Sequence, residues 1–127
     1  EQYSGTYTFR HEKKPYWELI SCWKGIKPKN TLYKFSKWER SDYAPEVPWE
    51  FNELCVIPLI NVEFIGDKVI EVHLRASPDP DYDELIPIWE DTKKDVDKYA
   101  KLGYTYIESF EASEGYLTTK RLGFMVK

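Results

Sequence analysis

Nowhere does this 127-residue chain approach the ~20 consecutive apolar residues that a bilayer-spanning helix needs, so no membrane partner is expected. A short apolar segment followed by a small-residue cleavage site is also missing. Cysteine is scarce: Cys22 and Cys55 are the only two, and both lie in segments that read as strand or buried turn. A reduced pair in a cytoplasmic protein is therefore expected rather than a disulfide framework. Internal repeats, low-complexity tracts and Gly/Ser linkers are absent, and the length suits one domain over residues 1–127. Basic charge is not in excess either. A net charge of −4 argues against a protein that coats nucleic acid along its whole surface.

What the chain does have is hydrocarbon, at 42% hydrophobic and 17% aromatic residues, enough for a sizeable core. Its charge is unevenly spread. Residues 24–40 are strongly basic, whereas every charge in residues 77–91 is acidic. Alternation of Thr6, Thr8 and Arg10 against Tyr7 and Phe9 reads as a half-buried strand. Residues 17–24 return as its hairpin partner across a charged turn ending in Pro15. Residues 24–48 hold three prolines and little periodicity, which predicts a long loop with a short strand near 31–35. A short helical segment is expected after Pro48. Between residues 83 and 102, Leu85, Trp89, Thr92, Val96 and Tyr99 recur at helical intervals, with Pro87 in the first turn and Gly103 as the stop. Two closing strands, 104–110 and 122–126, complete the pattern. The expected fold class is α+β: a mainly antiparallel sheet of hairpins with one long amphipathic helix packed on it. In that arrangement Phe64, Ile70, Val72, Trp89, Val96 and Tyr99 share one core.

The chemistry concentrates on the hairpin of residues 60–75, which turns at Gly66-Asp67. A strict two-residue turn pairs Ile65 with Lys68 and sends Glu63 and Glu71 to opposite sides of the sheet. An odd loop or one bulge, pairing Ile65 with Val69, instead puts Asn61, Glu63, Glu71, His73 and Arg75 on one face. Ile60, Val62, Phe64, Ile70, Val72 and Leu74 then share the other. The turn chemistry of Gly-X favours the first register. Burial of an unpaired carboxylate costs more than a turn preference, so the second is expected. Carboxylates directly opposite on neighbouring strands repel, and a hard cation such as Mg²⁺ answers that repulsion while keeping positions for phosphate oxygens. Glu63, Glu71 and His73 are thus candidate metal ligands. His73 is also a candidate proton relay, and Arg75 a candidate phosphate or carboxylate contact. A plain solvated sheet face is the competing reading, since the outer face of an antiparallel sheet is polar by default.

At these residues the chain resembles the ATP-grasp superfamily. Its members carry an acid on one strand of the C-terminal lobe and Glu-x-Asn, often followed by Pro-Arg, on the next. Residues 59–65 (LINVEFI) resemble the first strand and residues 69–75 (VIEVHLR) the second, with Glu71 and Arg75 in the family positions. His73 stands where the family has its metal-binding asparagine. The resemblance covers about 15 residues well and the 3–24 hairpin loosely. It implies Mg²⁺ and ATP as cofactors, with Glu63 and Glu71 holding metal and His73 assisting. Arg75 would meet phosphate or substrate as a catalytic-site residue. It further implies an ATP-dependent ligase that activates a carboxylate as an acyl-phosphate for attack by an amine or thiol. The chain is too short for both lobes of that family, so an N-terminal lobe supplied elsewhere is expected, and the chain alone is not expected to be catalytic. Nucleotide and a small-molecule substrate are the implied partners.

Two other readings use different features. Restriction-endonuclease-like nucleases also set an acid beside Glu-x-Lys on neighbouring strands and bind Mg²⁺; Glu63 and Glu71-Val72-His73 resemble that pattern, with histidine where lysine belongs. A non-enzymatic nucleotide- or nucleic-acid-binding module would instead use the basic loop. There Lys27, Lys29, Lys34, Lys37 and Arg40 interleave with Tyr33, Phe35 and Trp38, which suits phosphate contact with base stacking. Lys27, Lys29 and Lys34 are the cofactor-binding candidates from this stretch. Most other aromatics fall on inward periodic positions and read as core.

Overall fold

A computed structural model describes residues 1–27, 35–111 and 120–127. In chain order, the elements among them are β1 (Gln2–Arg10), β2 (Tyr16–Ile26), β3 (Lys37–Arg40), a 3-10 turn (Trp49–Leu54), β4 (Leu59–Ile65) and β5 (Lys68–His73). There follow β6 (Glu84–Trp89), a second 3-10 turn (Glu90–Asp95), α1 (Val96–Lys101), β7 (Thr105–Glu111) and β8 (Arg121–Val126). The strand expected over 31–35 lies outside the described residues except for Phe35, which is not in a strand. Two compact units divide the chain: Glu1–Gly25 with Arg40–Pro78, and Ile26–Glu39 with Asp79–Lys127.

In the first unit the strands run in the order β5-β4-β1-β2, all antiparallel. Period-two alternation decides which side chains go inside. Ile60, Val62 and Phe64 on β4 are fully buried beside Tyr3, Tyr7, Trp17 and Cys22. Each of the larger of these contributes about 1.5–3 kcal/mol by leaving water. Val47, Phe51 and Leu54, from the segment between β3 and β4, pack against this cluster. Tyr7 donates its hydroxyl to Pro45 O at 2.9 Å, so the covering segment is hydrogen-bonded to the sheet as well as packed on it. Both cysteines are free, and burial pushes the Cys22 thiol up to about 11.

In the second unit the order is β3-β6-β8-β7. One of its core clusters is Ile86, Ile88 and Met125, with Val96, Tyr99 and Tyr104 packed against them, and Leu85, Phe124 and Val126 are buried as well. Here the expectation of one long helix fails. Residues 84–89 form a strand, and the helical segment is only the 12 residues from Glu90 to Lys101. Leu85, Ile86, Pro87 and Ile88 are all buried, so this run is inside on both faces. A short continuous apolar run cannot be assigned to helix or strand by periodicity. Pro87 breaks the tie, because it disfavours helical backbone in the residue before it. A proline is tolerated in this strand because the residues paired with β3 end at Leu85. Helix then starts where Thr92 turns back, its Oγ1 accepting from Trp89 N–H at 2.9 Å.

The single shared core fails with the long helix. Phe64 and Val72 belong to the first unit's cluster, and Val96 and Tyr99 to the second's. What the sequence assigned to a helical cover for the hairpin is done by the Val47–Phe51–Leu54 segment.

Candidate metal centre

The β4–β5 hairpin combines both registers that the sequence offered. Its turn is the strict two-residue one: Ile65 pairs with Lys68 and Phe64 with Val69. Gly66 has φ +61° and, among the described residues, no non-glycine residue has positive φ, the sign pattern that Gly-X turns of type II′ require. A bulge then follows, and beyond it Glu63 faces Glu71, Val62 faces Val72 and Asn61 faces His73. Ile70 is the extra residue. It was expected on the apolar face and is instead 49% exposed, because a bulged residue leaves the ladder's alternation. The bulge lets the favourable turn and the favourable side-chain partition coexist.

The polar face so formed has two halves. One half is closed. Asn61 is 4% exposed, and its Nδ2 donates to Ser4 Oγ and to Gly5 O, both at 3.1 Å. Thr6 is buried beside it and accepts from Ser77 N–H at 3.5 Å, which carries the chain after β5 back onto this face. Asn61 is therefore a clamp between β4 and β1, not a ligand-facing group.

The other half is open, and it holds Glu63, Glu71 and His73. One ligand atom from each lies within 4.8 Å of the other two. His73 Nε2 is 3.5 Å from Glu63 Oε2 and 3.5 Å from Glu71 Oε1. Side-chain exposure is 22% for Glu63, 29% for His73 and 57% for Glu71, so two ligands are held and the third can rotate. Neighbouring ligands on a hard cation at about 2.1 Å are about 3 Å apart, so a bound ion would draw the three groups slightly closer than the 3.5 Å gaps seen here. Three protein atoms on an open face leave the remaining coordination positions to solvent or to a ligand's oxygens.

The other expected site residues are not brought to this group. β5 ends at His73, so strand alternation does not extend to Arg75. Arg75 is exposed in a bend, and its Nη1 donates to Ala76 O at 3.0 Å. Leu74, expected on the apolar face, is exposed for the same reason. Lys29 and Lys34 lie outside the described residues. Lys27 belongs to the second unit, with its ammonium 4.6 Å from the centre of the Phe35 ring. Lys37 pairs with Glu84 and, at 3.1 Å, with Glu39, while Arg40 lies over Trp23. Protein partners thus already hold the described cations of the basic stretch.

One feature of the first unit escaped the sequence reading. Tyr7, Tyr16, Trp17 and Trp49 line a cleft of about 320 Å³, and Trp49 is 77% exposed. Most aromatics are expected in the core, which holds for Tyr3, Tyr7, Trp17, Trp23, Phe64 and Phe124. The available signal was the run Pro45-Glu46-Val47-Pro48-Trp49, where prolines remove the periodicity that would turn a tryptophan inward.

Compared with protein-family models, curated proteins and solved structures, the chain matches none. Its functional reading therefore rests on the site's own chemistry.

Proposed function

We propose that the chain is a divalent-cation-binding domain that presents a metal to the phosphates of a nucleotide. The convergence of Glu63, Glu71 and His73 on the open half of the hairpin face carries this reading. Two carboxylates supply the charge a hard cation needs, and the imidazole admits Mn²⁺ alongside Mg²⁺. The open coordination positions suit phosphate oxygens. The finer reading is an ATP-grasp-type C-terminal lobe, the metal-holding part of an ATP-dependent carboxylate ligase whose second lobe completes the catalytic site. A paired-acid hairpin with Glu71 on its second strand supports it. In that reading Arg75, released from the strand and exposed, reaches the nucleotide's phosphate, and His73 holds metal in place of asparagine.

Thermal unfolding with metal and nucleotide tests both levels. Mn²⁺ or Mg²⁺ is expected to raise Tm by mass action, and ATP to raise it further by supplying ligands the protein lacks. Arg75→Ala is expected to keep the metal shift and lose the ATP increment. A metal shift that ATP leaves unchanged would retain the cation site and remove the nucleotide.

A further inference from the structure

The aromatic cleft of the first unit is independent of the metal centre, and its composition selects a ligand class. Its lining contains four aromatic rings, the carboxylate of Glu46, and no lysine, arginine or histidine. A nucleotide or any other anion would meet one negative charge and no positive one, so phosphate ligands do not belong here. At about 320 Å³ it sits at the small end of ligand pockets, which run from about 300 to 1,000 Å³.

Three hydrogen bonds fix the walls, and they engage the Tyr7 hydroxyl, the Trp17 indole N–H and one N–H of the Asn52 amide. Tyr7 gives its hydroxyl to Pro45 O at 2.9 Å, Trp17 gives Nε1 to Phe51 O at 3.0 Å, and Asn52 gives Nδ2 to Pro15 O at 3.4 Å. These bonds join β1, β2, the β1–β2 turn and the 3-10 turn around one space. With those donors used inside the walls, the lining offers ring surface, the Tyr16 hydroxyl, the rest of the Asn52 amide and the Glu46 carboxylate as its one charge. Among the described residues Glu46 has no hydrogen bond or ion pair. A cation with a greasy surface needs π-faces and one negative charge, and both are present.

We propose that this cleft binds an alkylated ammonium group. Tyr16, Trp17 and Trp49 would supply the ring faces and Glu46 the counter-charge. A free quaternary amine and a methylated lysine side chain share this chemistry.

Titration of the full chain with choline, followed by tryptophan fluorescence and by NMR, tests the assignment. Saturable binding is expected with a Kd in the range of about 0.1–1 mM. The neutral isostere of choline, with carbon in place of the quaternary nitrogen, is expected to bind at least about tenfold more weakly. Trp49→Ala and Glu46→Gln change exposed residues, so both variants are expected to fold as the parent does; circular dichroism checks this. Each is expected to weaken choline binding, and Glu46→Gln is expected to narrow the preference over the isostere. A trimethyl-lysine peptide that binds more tightly than choline would assign the source to a protein tail, and the reverse order to a free amine. No saturable binding up to about 10 mM would overturn the proposal, as would equal binding of the neutral isostere or preferential binding of a neutral glycoside.

Discussion

Asn61 and Glu63 are two residues apart on one strand face and have opposite fates. Asn61 is sealed by its bonds to Ser4 and Gly5, while Glu63 stands at the open half beside His73. Asn61→Ala leaves the buried Gly5 carbonyl without that donor, and is expected to cost about 1–3 kcal/mol in urea denaturation. A neutral result would mean the clamp is not structural. Their different fates could not be read from the sequence, because both residues obey the same alternation. Ser77, whose N–H reaches Thr6, the cross-strand partner of Asn61, lies 16 positions further on.

Residue chemistry also sets a pH dependence in the second unit. Lys37 and, more weakly, Tyr104 hydrogen-bond to Glu84 and hold its carboxyl below the ordinary range, although partial burial opposes them. A folded-state value below the unfolded one stabilises the fold above the ordinary carboxylate pKa, and that stabilisation is lost as pH falls through the depressed value. Thermal midpoints measured downward from about pH 4.5 are therefore expected to fall less steeply in Glu84→Gln than in the parent. Equal slopes would show that the pair contributes nothing.

At the scale of elements, the β4–β5 hairpin was legible and β6 was not. Alternation in Ile60, Val62 and Phe64 against Asn61 and Glu63 announces a strand with one wet face, and the cost of burying a carboxylate fixes the partition. Over residues 84–89 both faces are inside, so there is no wet face to reveal a period. The helical spacing of Leu85, Trp89 and Thr92 is then a coincidence that Pro87 contradicts. The site followed the same rule. The shared face of Glu63, Glu71 and His73 was legible because they alternate on paired strands, whereas the position of Arg75 was not, because nothing local marks the end of β5.

Close strand approach gives another element-scale prediction. A Cβ on Gly123 of β8 would lie 2.1 Å from Ile107 O on β7, a backbone atom that cannot swing aside. Gly123→Ala is expected to destabilise by at least about 1–3 kcal/mol and to loosen the β7–β8 pairing. Amide hydrogen exchange at Thr105–Glu111 that stays as slow as in the parent would contradict it.

On the scale of the whole molecule, each compact unit carries its own hydrophobic cluster. Among the described residues no helix is long and apolar enough to cross a membrane, as the hydropathy pattern implied. Phe64→Ala removes a fully buried ring from the first cluster and is expected to cost about 3–5 kcal/mol by chemical denaturation; a loss under ~1 kcal/mol would show that this cluster does not hold its unit together.

The functional account depends on one cation seated between Glu63, Glu71 and His73. Electron paramagnetic resonance of Mn²⁺ titrated into the full chain reads this directly, because protein-bound ion loses the sharp signal of the free aqueous ion. The account predicts one saturable Mn²⁺ per chain, displaced by Mg²⁺ and lost in Glu71→Gln, with the metal-free variant at least as stable as the parent since the carboxylate repulsion is relieved. A free-ion signal undiminished at millimolar metal, or binding that survives Glu71→Gln unchanged, would contradict it.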